Sequence, residues 1–211
     1  FPTRRSSDLV LTMKKPTLTI AAQDANLRLI NEFIKHGADI NSRNRLGLTP
    51  LSCAAAYGHA ETVEFLLEHG ADPNILDRDG LSPLHKAADG NDILTCEILL
   101  KYGADVNQTT PSKTTALMIA ASGGYLELLK LLIEVGQAKI NLTDIGGRTA
   151  LMRAADRGRS EIVATLLKLG ADLYSRDCDG RSATYFAETQ NYTNILTIFK
   201  HFMQINPQPS F

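Results

Sequence analysis

Three kinds of side chain in this sequence carry the chemistry for catalysis or metal binding: three cysteines, five histidines and pairs of closely spaced aspartates. Cys53, Cys96 and Cys178 contain no C-x-x-C pair and lie far apart, so they present neither a zinc-site nor a dithiol signature. Asp77 with Asp79, and Asp177 with Asp179, have the spacing of paired carboxylates for general acid–base work or calcium ligation. Asp177-Cys178-Asp179-Gly180 reads like the opening of a calcium loop, but the later ligands and the closing glutamate are missing. His85 has no second ligand in register, so a metal role is not expected of it. No phosphate-binding G-x-x-x-x-G-K-[ST] and no H-E-x-x-H occurs, and no G-x-G-x-x-G precedes a helix. The expectation is a chain without catalytic residues, cofactor or metal.

The elements that would have to position such residues explain the spacings better. Asp79 to Asn107 reads DGLSPLHKAADGNDILTCEILLKYGADVN, and parts of this phrase recur along the chain. Thr49, Ser82, Thr115, Thr149 and Ser182 follow one another at intervals of 33, 33, 34 and 33 residues. A fixed period of this size is the signature of a stacked solenoid, in which each unit buries its apolar face only against its neighbours.

The phrase Ser82-Pro83-Leu84-His85-Lys86-Ala87 resembles the ankyrin repeat signature threonine-proline-leucine-histidine-x-alanine, and the likeness extends over about residues 16 to 202. It implies an all-α repeat solenoid of about six stacked helix-turn-helix units, joined by short β-hairpin or turn loops. It also implies a non-catalytic scaffold for protein partners, met most often on the concave face. Within the family the motif histidine, here His85, hydrogen-bonds within and between hairpins, and aspartates at the hairpin tips serve turn chemistry. A hairpin asparagine with a leucine eight residues upstream can be an asparaginyl hydroxylase substrate, and Asn74 with Leu66 and Asn107 with Leu99 fit that spacing.

Each position in the period has a physical reason. The five Thr or Ser residues stand where a helix begins and can accept from its free first-turn N–H groups. Pro50 and Pro83 suit the first helical position, where a missing N–H costs nothing. Ala54-Ala55, Ala87-Ala88, Ala120-Ala121 and Ala154-Ala155 let short helices approach closely. Gly58, Gly124, Gly158 and Asn91 suit the left-handed turn between paired helices. Gly37, Gly70, Gly103, Gly136 and Gly170 are expected as left-handed C-caps. His36 and His69, just before two of these glycines, suit a helix C-terminus. Gln137-Ala138-Lys139-Ile140-Asn141 is one residue longer than Gly-Ala-Asp-Val-Asn, which predicts a distorted hairpin between repeats four and five. In repeat six, Thr184 replaces the motif leucine and Glu188 the second alanine, so this repeat is expected to cap the stack. The first repeat, from about Pro16 to Asn41, caps the other end.

Residues 1 to 12 form a leader. Within it, FPTRRSSDL matches the translation of a common sequencing adapter and is expected to be read-through, with Met13 as the native start. The repeat domain is expected over 13 to 203 and a disordered tail over 204 to 211. The net charge of -1 gives no reason to expect nucleic acid or an anionic membrane as partner. No apolar run approaches the roughly 18 residues of a membrane span, and Val10, Leu11 and Met13 are too short a run for a signal peptide. Cys53 and Cys96 occupy helical positions typical of small buried groups, which fits a reducing, cytoplasmic compartment; secretion as an effector is the other placement the resemblance allows.

Repeat phase then sets the expected surface for a protein partner of a monomeric chain. In repeats two and three it comprises Arg43, Arg45, Leu46, Leu48, Tyr57, Leu76, Arg78, Asp79, Leu81 and Asp89. In repeats five and six it comprises Ile145, Arg148, Asp156, Arg157, Arg176, Asp179, Arg181 and Gln190. Repeat four adds small polar residues: Thr109, Ser112, Thr114 and Ser122. The leucines around Tyr57 are expected to form a dry centre with arginines at its rim. The second group leans basic and suits an acidic partner segment. The alternative is a regulatory or targeting segment of a larger enzyme.

Overall fold

The computed structural model describes residues 17–206. Twelve helices are found among them, in six pairs: α1 Leu18–Gln23 and α2 Leu27–Lys35, α3 Pro50–Ala56 and α4 Ala60–Glu68, α5 Pro83–Asp89 and α6 Ile93–Lys101, α7 Ala116–Gly123 and α8 Leu126–Glu134, α9 Ala150–Asp156 and α10 Ser160–Lys168, and α11 Ala183–Thr189 and α12 Thr193–Ile205. The odd-numbered helices stack in one row and α4, α6, α8, α10 and α12 in a second, each against the next of its row. The architecture is the all-α solenoid expected. No strand occurs among the described residues; the loops between pairs are fingers closed by tight turns rather than paired β-hairpins.

The inner helices start where the hydroxyls stand. Thr49, Ser82, Thr115, Thr149 and Ser182 each accept from the N–H three residues on, a cap contributing about 1 kcal/mol. Thr17 does the same for α1. Two columns make the core. Leu51, Leu84, Leu117 and Leu151 run through the inner row, and Leu66, Leu99, Leu132, Leu166 and Phe199 through the outer row, all almost fully buried. Each such side chain stabilises the fold by about 1.5–3 kcal/mol. The alanine pairs are buried as well, whereas Glu188 is exposed on the last inner helix, which packs against α9 and α12.

Two expectations change. The extra residue of repeat four does not distort the finger. It is absorbed at the end of α8, where Val135 stays in the right-handed region and is exposed. The left-handed position is Gln137 at φ 56°, not Gly136. Ala138 is then buried in the register of Ala71, Ala104 and Ala171. At the other end, α12 continues to Ile205, so the helix takes in the first two residues of the expected tail. The leader, Met13 and residues 207–211 of the tail lie outside the described residues.

Candidate functional site

Each finger is built on one side chain at its tip. Asn44, Asp77, Asp144 and Asp177 accept through Oδ1 from the N–H groups two and four residues on, at 2.8–3.0 Å. Thr110 replaces them in the third finger, accepting from Thr114 N–H. These are turn-forming side chains. The second oxygen holds a cation: Lys86 Nζ lies 2.7 Å from Asp77, and Arg153 Nη2 2.6 Å from Asp144. Asp177 takes Arg181 at 2.9 Å and Arg148 at 3.8 Å. Burial pushes the Asp77 carboxyl up, but the Lys86 bond and the N–H groups of Leu81 and Asp79 outweigh it and hold its pKa below the ordinary value. Asp177 is lowered by the same balance, with Arg181 in the place of Lys86. A carboxylate already enclosed by guanidinium groups is not a calcium ligand, and no cluster of three metal-binding side chains occurs among the described residues.

Neighbouring fingers are tied at base and tip. At the base, Asn41, Asn74, Asn107 and Asn141 each accept through Oδ1 from a backbone N–H of the next finger at 2.8–2.9 Å. At the tip, Arg78, Ile145 and Cys178 donate N–H to Leu46, Ser112 and Gly146 carbonyls. Pro111 occupies that position in the third finger and has no N–H to give; its ring lies against Gly80 instead. His85 joins fingers as the resemblance implied. Its Nε2 donates to Thr114 O at 3.1 Å while Nδ1 accepts from Ser82, which fixes the neutral tautomer. Burial lowers its pKa and so favours the same form.

The thiols of Cys53 and Cys96 are pushed by burial up to about 11 and about 12, out of nucleophilic range. Cys178 is exposed and unpaired in a disulfide.

A family model described as ankyrin repeats (3 copies) matches residues 18–110 and 107–177. The chain belongs to the ankyrin repeat family. Among solved structures it is similar to an ankyrin repeat domain from Acinetobacter baumannii AYE, with 30% identity, a TM-score of 0.82 and coverage of 88% of this chain and 96% of that one. The ankyrin repeat protein EF0377 gives 28%, 0.82, 90% and 98%. The ankyrin repeat domain of Bcl-3, of the IkappaB protein family, gives 30%, 0.80, 89% and 87%. No curated protein matches the sequence.

Within this ankyrin array the expected surface residues are distributed as follows. Leu46 and Tyr57 stand out, 65% and 58% exposed. Arg43, Arg45, Arg78, Asp79 and Asp89 are also exposed. Arg43 donates to the Leu76 carbonyl, so it is fastened to the next finger. Leu48, Leu76 and Leu81 are half-buried between fingers. Tyr57 lines neither of two hollows but adjoins residues that line them. Its hydroxyl accepts from Gln23 Nε2 at 3.1 Å, and Gln23 lines a hollow of about 450 Å³ under Leu46. Ala56, the preceding residue, lines another of about 410 Å³ with Leu81, Lys86, Asp89 and Ile119.

In repeats five and six, Ile145 is 70% exposed and Arg157, Arg176, Asp179 and Gln190 are exposed. Arg148 and Arg181 are half-buried, both stacked on Phe186, with centroid distances of 4.5 and 5.4 Å. Arg148 also pairs with Asp156 and Arg181 with Asp179. Of the four arginines that made this region read as basic, these two are already neutralised within the protein. In repeat four, Thr109 and Ser112 are exposed and Thr114 and Ser122 half-buried; Ser122 gives its carbonyl to Arg159. Lys86 and Arg153 were missed as surface charges. The signal was present: each lies nine residues after a finger aspartate, Asp77 and Asp144.

Proposed function

We propose that this ankyrin array is a non-catalytic scaffold that binds a protein partner along its concave face, with Tyr57 as the principal anchor. Ankyrin repeats are in general protein–protein interaction modules, and no helix among the described residues is long and apolar enough to cross a membrane. The observation that carries the reading is Tyr57, a largely exposed aromatic ring next to residues that line two hollows, with Leu46 exposed on the wall of one of them. Tyrosine is among the residues enriched at the energetic centres of interfaces. Arg45 and Arg78 stand at the rim, and Arg157 and Arg176 extend the contact toward an acidic stretch of the partner, where charge raises association rate more than affinity. The two buried free thiols fit a reducing compartment, in the simplest case the cytoplasm.

The experiment is affinity capture from the source organism with wild-type chain and with a variant carrying Tyr57→Ala and Arg78→Ala. The partner retained by wild type is lost from the variant at equal loading. Undiminished capture by the variant contradicts the assignment of the concave face of repeats two and three.

A further inference from the structure

A second surface lies away from the concave face. Helices α4, α6, α8 and α10 each have nine residues, but α12 has thirteen. Its last turn therefore overhangs the end of α10, where the chain turns away at Gly170. The overhang opens a groove of about 780 Å³ whose apolar wall is formed by Leu167, Ile198, Phe202 and Ile205. Ile205 is 63% exposed and continues the apolar wall of Ile198 and Phe202.

The charge at the groove has one sign. Lys168 lines it and is exposed, and none of the lining residues is acidic. Glu161 lies at the far end of α10, two turns from Lys168 and outside the lining. Along α12 the groove runs from Thr197 to Asn206, about 14 Å at 1.5 Å per residue. That length accepts two to three turns of a helix laid between α10 and α12, and the volume accepts a few large aliphatic or aromatic side chains. Apolar anchors at i, i+4 and i+7 are the pattern by which an amphipathic helix fills such a groove.

We infer that the groove between α10 and the overhanging end of α12 is a second docking site, and that it takes a short amphipathic helix of a partner protein with acidic residues flanking its apolar face. Apolar anchors cover Phe202 and Ile205, and an acidic side chain meets Lys168. The site is independent of Tyr57, so the array can hold two partner segments at once.

The test uses the full chain and two labelled synthetic helical peptides, with leucines at i, i+4 and i+7 and either glutamate or lysine at the flanking positions. Fluorescence anisotropy should show saturable one-to-one binding of the glutamate peptide and little of the lysine peptide. Ile205→Glu should weaken it at least tenfold and Lys168→Glu several-fold, while Tyr57→Ala leaves it unchanged. Both variants change exposed positions and should melt with wild type; should one not, the other carries the test. Absence of saturable binding, equal binding of the two peptides, or indifference to Ile205→Glu and Lys168→Glu overturns the inference. So does sedimentation as a dimer that Ile205→Glu dissociates, because a second copy of the chain would then fill the groove.

Discussion

Leu99→Ala tests how stability is carried along the stack. Leu99 is fully buried on α6, which packs against α4 and α8 in the outer row and against α5 within its own repeat. The substitution removes three carbon groups, about 2.4 kcal/mol of transfer free energy at about 0.8 per group. Helices on several sides cannot collapse fully into the space, so a cavity term brings the expected loss to about 2–5 kcal/mol. Leu196 is the comparison. It is half-buried on α12, which packs against α10 and α11. Leu196→Ala therefore removes less buried area and leaves an open hollow, for an expected loss of about 1 kcal/mol. Urea unfolding followed by far-ultraviolet circular dichroism gives both values. A Leu196→Ala loss equal to or greater than that of Leu99→Ala would refute the view that repeat six is a terminal cap.

Asp77→Ala leaves the N–H groups of Asp79 and Leu81 without their acceptor and the half-buried Lys86 ammonium unpaired; unfolding should show a loss of about 1–3 kcal/mol. Acid should weaken the fold in two steps. His85, Asp77 and Asp177 all have folded-state pKa values below their ordinary ones, so their contributions are complete above the ordinary value and are lost as pH falls through the lowered one. The first loss begins below 6.5 and belongs to His85, the second below 3.8 and belongs to the aspartates. A urea midpoint for His85→Gln that declines as steeply as wild type between about pH 6.5 and pH 5 would count against that assignment. Gly80→Ala should lower the melting temperature, because φ is 74° and the new Cβ would collide with the Pro111 ring. Asn74 and Asn107 should stay unmodified by mass spectrometry after expression with an asparaginyl hydroxylase, since both side chains are already engaged between fingers; an added oxygen on either would contradict this.

The helices and both core columns were legible because they follow from a period that also sets the caps, the alanine pairs and the turns. The misplacement of Gly136 has a specific cause. Aligning the repeats on glycine assumes that glycine anchors the register. The structure anchors it on the buried alanine, so the left-handed position is whichever residue precedes Ala138, namely Gln137. The charge of repeats five and six was misjudged for a different reason. Arg148 reaches Asp177 in the next finger and shares the Phe186 ring with Arg181. The Arg148–Asp177 pairing depends on how fingers stack and is not marked by spacing within any one repeat, whereas Arg181 pairs with Asp177 and Asp179 of its own finger. The exposure of Tyr57 follows from phase alone, but the hollows beside it depend on Gln23 in repeat one and Ile119 in repeat four.

The central claim, recognition through the concave face, is tested most directly by hydrogen exchange of the captured complex. Amides of fingers 43–48 and 76–81 and of the turn around Tyr57 should slow on binding, while the outer helices α4 and α6 exchange as in the free chain. With the captured partner, Tyr57→Ala should weaken affinity at least about 30-fold, the equivalent of about 2 kcal/mol, with the melting temperature nearly unchanged. Protection confined to the outer helices, with Tyr57→Ala binding as wild type, would contradict the account.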